Sequence, residues 1–442
     1  MKRMERFLCF LLALILPACA LGNGETAPNA LQVLEKMQNG ACGEVYALFD
    51  DTMAAALSVK DLETLLPSLE ASLGSLTEIG KETISQVSGY TVAALPLKYD
   101  RGSLLFQVSW KNGRIAGMYF APMEEQPTAQ QEAAPQGVTE EEISVGAPAL
   151  PGMLTMPAGS DAPLPAVVLL HGSGPNDLDE TIGQTKLFRD LAWGLAQKGI
   201  AVLRYDKRTY VYGKDYTREE LAAFTVQQEA IDDALAAAAV LQEDPRIDPS
   251  RIFLAGHSLG GCIAPRIARE NPGIFAGLLL LSASPLTLGD IVIMQNRAAV
   301  SQASPLLQPA LSQQVDSLEN EWRSIREGTK ENALEKTFAG QSAYYFWDLA
   351  RHDTAEDLLS LAIPVLILNG GRDFQVTAQA GYDAWKALPL RDNVQLIPEE
   401  TLNHLLMDPD APEGVLGTQG EYDVPCHVPD HVIDKLSSFI LQ

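Results

Sequence analysis

The chain has 442 residues, of which 46% are hydrophobic and 20% charged, and it carries a formal net charge of −25. That is ample apolar material for a core, and the length argues for two or three domains. Acidic side chains spread along the whole chain exclude nucleic acid and anionic membrane surfaces as favoured partners, while saying little about a substrate.

Residues 1–20 read as a signal peptide. Lys2, Arg3 and Arg6 precede the apolar run Phe7 to Leu16, and small residues follow. The run is short for a transmembrane helix. Ala18-Cys19-Ala20 suits a signal-peptidase site, whereas Leu16-Pro17-Ala18-Cys19 is similar to a bacterial lipobox. The second route would leave a lipidated Cys19 as a membrane tether. Pro17 departs from the commoner small residue there, and both routes stay open. Either one places the protein outside the cell or in the cell envelope, with residues 21–27 as a short tether.

Beyond the leader the cysteines are Cys42, Cys262 and Cys426, an odd number for an oxidising compartment, with no C-x-x-C spacing. Cys262 reads as a small buried hydrophobe. His427 and His431 are four apart, a spacing that could serve a metal on a helix. Pro429 between them and the missing acidic partner argue against a site. No metal is expected.

A small α+β domain is expected over residues 28–121. Leu31, Leu34 and Met37, then Val45, Leu48, Phe49 and Met53, recur at helical spacing. Ser58-Val-Lys-Asp61 has the form of a capping box opening a further helix, which Pro67 should kink or end. From Thr83 the period falls to two, giving strands over 83–87, 90–99, 104–110 and 115–120, with Asn112-Gly113 a hairpin turn. Helices followed by a meander resemble the small cystatin- or NTF2-like domain of unknown function that precedes many secreted bacterial hydrolases. The resemblance implies a binding or spacer module. Residues 122–142, rich in Glu, Gln, Pro and Ala without periodicity, read as a linker.

Residues 143–442 alternate strand and helix. Strands are expected over 154–157, 166–170, 200–205, 252–255, 276–282, 364–368 and 394–397, separated by helices over 187–198, 227–242, 261–270 and 378–387, with a last helix over 432–441. Continuous apolar strands of this kind form a mostly parallel sheet covered on both faces, with ligands bound beyond the carboxyl ends of the strands. A long insertion, about 285–361, carries Leu306, Leu307, Leu311, Trp322, Tyr344, Tyr345, Phe346 and Trp347. It reads as a helical cap shaping an acyl or alcohol pocket, or as a subdomain with its own aromatic core; both can hold at once.

The chemistry is expected at Gly256-His-Ser-Leu-Gly260, where the apolar run Ile252 to Ala255 ends and a helix begins. Strand, turn and helix are the setting in which G-x-S-x-G makes a nucleophile elbow, with Ser258 as the nucleophile. A serine hydroxyl needs a base. Among the six histidines, His404 follows the last strand, where the order Ser, acid, His puts it. The orienting acid is expected at Asp373, after the strand and two glycines at 370–371; the rival Asp290 lies well past its own strand. An ion pair with neighbouring Arg372 is the bland alternative for Asp373. Two backbone donors are needed for an oxyanion. Leu259 N–H is one, and the His171-Gly-Ser-Gly174 turn supplies the other, placed at Ser173 with Gly174 as the fallback.

Several motifs together resemble one family. His171-Gly-Ser-Gly-Pro-Asn-Asp177 with Asp179-Glu-Thr181, Phe188 to Trp193, Arg204-Tyr-Asp-Lys-Arg-Thr209, Gly256 to Gly261 and Gly370-Gly-Arg-Asp-Phe-Gln-Val376 are similar to the EstD-like bacterial carboxylesterases of the α/β-hydrolase superfamily. Phe374 and the tail around Cys426 vary from that pattern. The resemblance implies an α/β-hydrolase fold, Ser258, Asp373 and His404 as a triad, and cleavage of short or medium acyl esters through an acyl-enzyme, without a cofactor. A serine peptidase or amidase is the second reading. A cell-envelope binding protein with a vestigial hydrolase domain is the third, and the three intact side chains count against it.

Overall fold

The computed structural model describes residues 29–87, 90–123, 133–159, 162–302, 308–410 and 415–442. The residues read as leader and tether lie outside these. The chain divides into two compact units, the first ending at Ala133 and the second starting at Ala134.

In the first unit, helices α1 (Ala30–Gln38), α2 (Cys42–Tyr46), α3 (Asp51–Ala56) and α4 (Val59–Leu73) precede strands β1 (Leu76–Ile79), β2 (Thr83–Val87), β3 (Tyr90–Tyr99), β4 (Gly102–Lys111) and β5 (Arg114–Met123). The strands form an antiparallel sheet in the order β1-β3-β4-β5, with β2 also on β3. Leu95, Leu97, Phe106 and Val108 from the sheet bury against Val33, Leu34, Val45 and Leu62 from the helices. Ser58 caps α4 through the full reciprocal box with Asp61. Asn112 and Gly113 both take positive φ, 50° and 73°, as a two-residue hairpin turn with primed geometry requires. Pro67 neither ends nor closes α4, which continues to Leu73. Its missing N–H and ring clash cost about 3 kcal/mol, and the apolar stripe of Leu62, Leu66, Leu69 and Leu73 packed on the core offsets that cost.

The second unit is built on an eight-stranded sheet. Its strands are β6 (Val138–Val145), β7 (Leu150–Pro157), β8 (Leu164–Leu170), β9 (Ala201–Tyr205), β10 (Ile247–His257), β11 (Gly277–Leu281), β12 (Val365–Gly370) and β13 (Val394–Glu399), in the spatial order β13-β12-β11-β10-β8-β9-β7-β6. From β13 to β9 all neighbours are parallel, while β7 and β6 run antiparallel. Successive residues of β8 face opposite sides. Val167 and Leu169 pack under α5 (Leu187–Gln197) and the C-terminal helix, whereas Ala166, Val168 and Leu170 pack under α6 (Asp232–Glu243) and α7 (Leu259–Glu270). The insertion after β11 is helical, with α8 (Leu288–Gln302), α9 (Gln308–Glu327) and α10 (Ala343–Leu349) among its elements; the chain closes on α11 (Asp430–Ile440). Trp322, Phe338 and Phe346 form the insertion's own aromatic core.

The start of the sheet also differs from expectation. The expected linker 122–142 overlaps β6, which begins at Val138. Glu140, Glu141 and Glu142 place acidic side chains on β6, the sheet's edge, where charge blocks pairing with another chain. Glu140 also serves the fold directly, accepting from Arg204 at 2.7 Å and from the Trp193 indole at 2.9 Å.

Candidate active site

The carboxyl end of β10 turns into α7 at Ser258, and the turn is strained. Ser258 has φ 51° and ψ −118°, a left-handed conformation that L side chains rarely adopt. Its N–H is tied to the Leu281 carbonyl at 2.8 Å, so the strain is held by the neighbouring strand. The flanking glycines are explained by distance. A Cβ on Gly256 would lie 2.3 Å from Gly260, and one on Gly260 would lie 2.2 Å from the Leu170 carbonyl oxygen. Gly260→Ala therefore forces the main chains of β8 and α7 apart. We expect a loss of about 3 kcal/mol or more, seen as a marked fall in Tm; a variant melting with the wild type would contradict this packing.

Two loops at the same end of the sheet deliver the candidate acid and base. After β12, Gly370 and Gly371 let the chain pass against the main chain of 400–403. Asp373 then turns inward and is 0% exposed. Its Oδ1 accepts the N–H groups of Gln375 and Val376 at 2.8 and 2.7 Å, which leaves Oδ2 for the Nδ1–H of His404 at 2.7 Å. Arg372 does not pair with Asp373: it is buried the other way, on the Val415 carbonyl and Glu421. Asp290, the rival acid, caps α8 with Thr287 and accepts the Trp322 indole at 2.8 Å. His404 sits in a loop shaped by Asn403, whose side chain accepts from Leu405 and Met407 N–H at 3.0 and 3.2 Å. The His404 carbonyl accepts from His257 Nε2 at 2.9 Å, which ties this loop to the residue beside the serine. Among the described residues, Ser258 Oγ and His404 Nε2 are not hydrogen-bonded to each other. Such bonds commonly tighten only on substrate binding.

The candidate oxyanion donors are also in place. Leu259 N–H opens α7, a 12-residue helix whose N-terminus carries partial positive charge, and it meets no acceptor among the described residues. On the β8 side, Gly172 comes so near that a Cβ there would lie 3.2 Å from Ser258 Cβ. The N–H groups of Ser173 and Gly174 likewise donate to nothing among the described residues.

Some residues around the site escaped the sequence reading. Glu180, 1% exposed, accepts the Gly172 N–H at 2.8 Å and lies 3.2 Å from His257 Nδ1, an ion-pair contact rather than an aligned hydrogen bond. Burial opposes charge on both, yet their mutual attraction prevails: His257 is raised above the ordinary imidazole value and Glu180 lowered below the usual carboxylate range. His171 is different. Burial pushes its pKa below the ordinary imidazole value, and Nε2–H donates to the Tyr205 carbonyl. Lys207 reaches the Gly172 carbonyl at 2.8 Å. Glu180 and Lys207 lie within the stretches 179–181 and 204–209 that carry the family resemblance, which is the signal that could have found them. Cys262, behind the nucleophile, accepts from Ser284 N–H, and burial raises its thiol to about 11. Cys42, Cys262 and Cys426 are free thiols.

This strand order, with a strained serine on the central elbow and a buried acid–imidazole pair at the same sheet edge, defines an α/β-hydrolase. Comparison with known proteins agrees. The family model described as "Serine aminopeptidase, S33" matches residues 161–410, and one described as a protein of unknown function (DUF3887) matches residues 30–118. Esterase EstD of Thermotoga maritima is 37% identical over 88% of this chain and 89% of its own. The chain belongs to the α/β-hydrolase family that includes this esterase, and it is a hydrolase. Among solved structures, Est1E from Butyrivibrio proteoclasticus is 16% identical, covering 68% of this chain and 97% of its own, with a TM-score of 0.42. Proline iminopeptidase of Mycobacterium smegmatis is 14% identical, with coverage of 68% and 98% and a TM-score of 0.43.

Proposed function

We propose that the protein is an exported carboxylesterase that cleaves short or medium acyl esters through an acyl-enzyme on Ser258. The observation that carries this is the 2.7 Å hydrogen bond from His404 Nδ1 to a fully buried Asp373, at the sheet edge where Ser258 stands. With Nδ1–H held by the acid, Nε2 is the free basic nitrogen. It takes the Ser258 proton as Oγ attacks the ester carbonyl, and returns it to the departing alkoxide. The tetrahedral oxyanion is met by the Leu259 and Ser173 N–H groups. Water, deprotonated by the same imidazole, then releases the acid and restores the serine.

The name of the relative EstD supports esters. The family model's description as a serine aminopeptidase favours a peptidase as the second reading, since the same three side chains serve amides. A panel of p-nitrophenyl esters from acetate to octanoate, run beside aminoacyl p-nitroanilides on one sample, separates them. We expect kcat/KM for the better esters to exceed that for any anilide by a wide margin; the reverse order would establish the peptidase. Export rests on the basic start, apolar run and small-residue site of residues 1–20. Fractionation of the native host, with and without Cys19→Ala, distinguishes a lipid tether from free secretion.

A further inference from the structure

The stretch Arg204 to Thr209 holds a charge that acyl transfer, as described, leaves unused. Lys207 is 1% exposed. Its Nζ lies 3.0 Å from Glu229 Oε1 and donates to the Gly172 carbonyl at 2.8 Å. Glu229 is itself buried, and its other oxygen accepts the hydroxyl of Tyr345 on α10 of the cap insertion. A second buried charge grips the other side of the same residue, because Glu180 takes the Gly172 N–H at 2.8 Å. The Asn176 amide adds a longer bond to the Gly172 carbonyl, at 3.3 Å.

We propose that Lys207, held by Glu229, is a positioning residue for the oxyanion: by gripping the Gly172 carbonyl it turns the Ser173 N–H toward the oxygen that takes the negative charge. In a trans peptide the C=O of one residue and the N–H of the next point in opposite directions. Fixing the Gly172 oxygen on Lys207 therefore aims the Ser173 N–H away from Lys207, and that N–H meets no acceptor among the described residues. Gly172 runs directly against Ser258. A cation on the oxygen also draws electrons through the amide, so the N–H becomes a stronger donor. The Gly174 N–H belongs to the next peptide, whose carbonyl meets only the neutral Asn176 amide, at 3.3 Å, among the described residues. The grip thus selects Ser173 over Gly174. Burying a lysine and a glutamate costs desolvation that an apolar pair of similar size would avoid, so their use is better explained by the carbonyl than by packing. Tyr345 extends the chain of contacts to the cap insertion.

The inference rests on the acyl-enzyme reading, and the experiment keeps the two apart. Lys207→Met removes the charge but strands Glu229, so the double variant Lys207→Met/Glu229→Gln is made as well. In full-length protein, kcat for p-nitrophenyl butyrate should fall about 10²-fold, the scale of losing one oxyanion donor, with KM within twofold. Affinity for a trifluoromethyl ketone, whose serine adduct bears the same oxyanion, should weaken in parallel. A merely structural lysine would lower Tm without this pattern. A folded double variant with unchanged kcat, or with lower kcat but undiminished ketone affinity, would overturn the proposal. If neither variant folds, a crystal structure of the wild-type fluorophosphonate adduct decides: the phosphonyl oxygen must lie on Ser173 N–H, and its placement on Gly174 N–H instead would overturn the assignment. Failure of the wild-type protein to take the fluorophosphonate at Ser258 would sink the acyl-enzyme reading itself, a different result from any of these.

Discussion

Ser258→Ala and His404→Ala should each reduce kcat for p-nitrophenyl butyrate by on the order of 10⁵- to 10⁶-fold, and combining them should cost little more. The reason is that the two side chains act as one unit: an imidazole with no hydroxyl to deprotonate does nothing, and the hydroxyl alone is a poor nucleophile. The residual rate over water would come from the Leu259 and Ser173 donors. Neither change disturbs the frame. Ser258 is tied through its backbone N–H to Leu281, and the His404 loop is tied through its carbonyl to His257. Both variants should therefore melt near the wild type. Steady-state kinetics and thermal unfolding on the two singles and the double check this. Additive losses in the double would show that the residues do not work together.

Asp373→Asn should reduce kcat about 10⁴-fold while leaving the protein folded. Oδ1 of Asp373 accepts two backbone N–H groups and Oδ2 accepts His404 Nδ1–H. An asparagine oxygen can keep the backbone pair, but its amide then presents a donor to the imidazole. That stabilises the tautomer with the proton on Nε2, where the base must be free, and removes the charge that steadies the imidazolium. An asparagine variant within tenfold of wild type would mean that Asp373 is only a turn residue. Kinetics on the purified variant, with KM reported separately, decides it.

Much of this site could be read from the chain because its signals are local. A strand that stops in Gly-x-Ser-x-Gly announces the elbow, and the Cβ distances at Gly256 and Gly260 show why no larger residue would serve. Asp373 and His404 are expected from counting strand ends, since ligands gather at the carboxyl edge of a parallel sheet, and the fold brings these two side chains together. Glu180, Lys207 and Glu229 were not found as site residues. Each comes from a different loop or helix and meets its partner only after the sheet has formed, so no spacing announces it. His257 is likewise not singled out by the sequence, because its partners Glu180 and the His404 carbonyl are far away in the chain. Strand β6 was hidden by composition, since the charges that protect a sheet edge look like those of a linker. Pro67 does not end α4, because tertiary packing overrides a local breaker.

The covalent intermediate itself offers the most direct test. The protein is mixed with p-nitrophenyl trimethylacetate, whose hindered acyl group slows deacylation, quenched in acid within the burst, and digested for tandem mass spectrometry. We expect a burst of nitrophenol near one equivalent and a trimethylacetyl group on Ser258. An acyl group on any other residue, or turnover of good esters by Ser258→Ala at the wild-type rate, would contradict it.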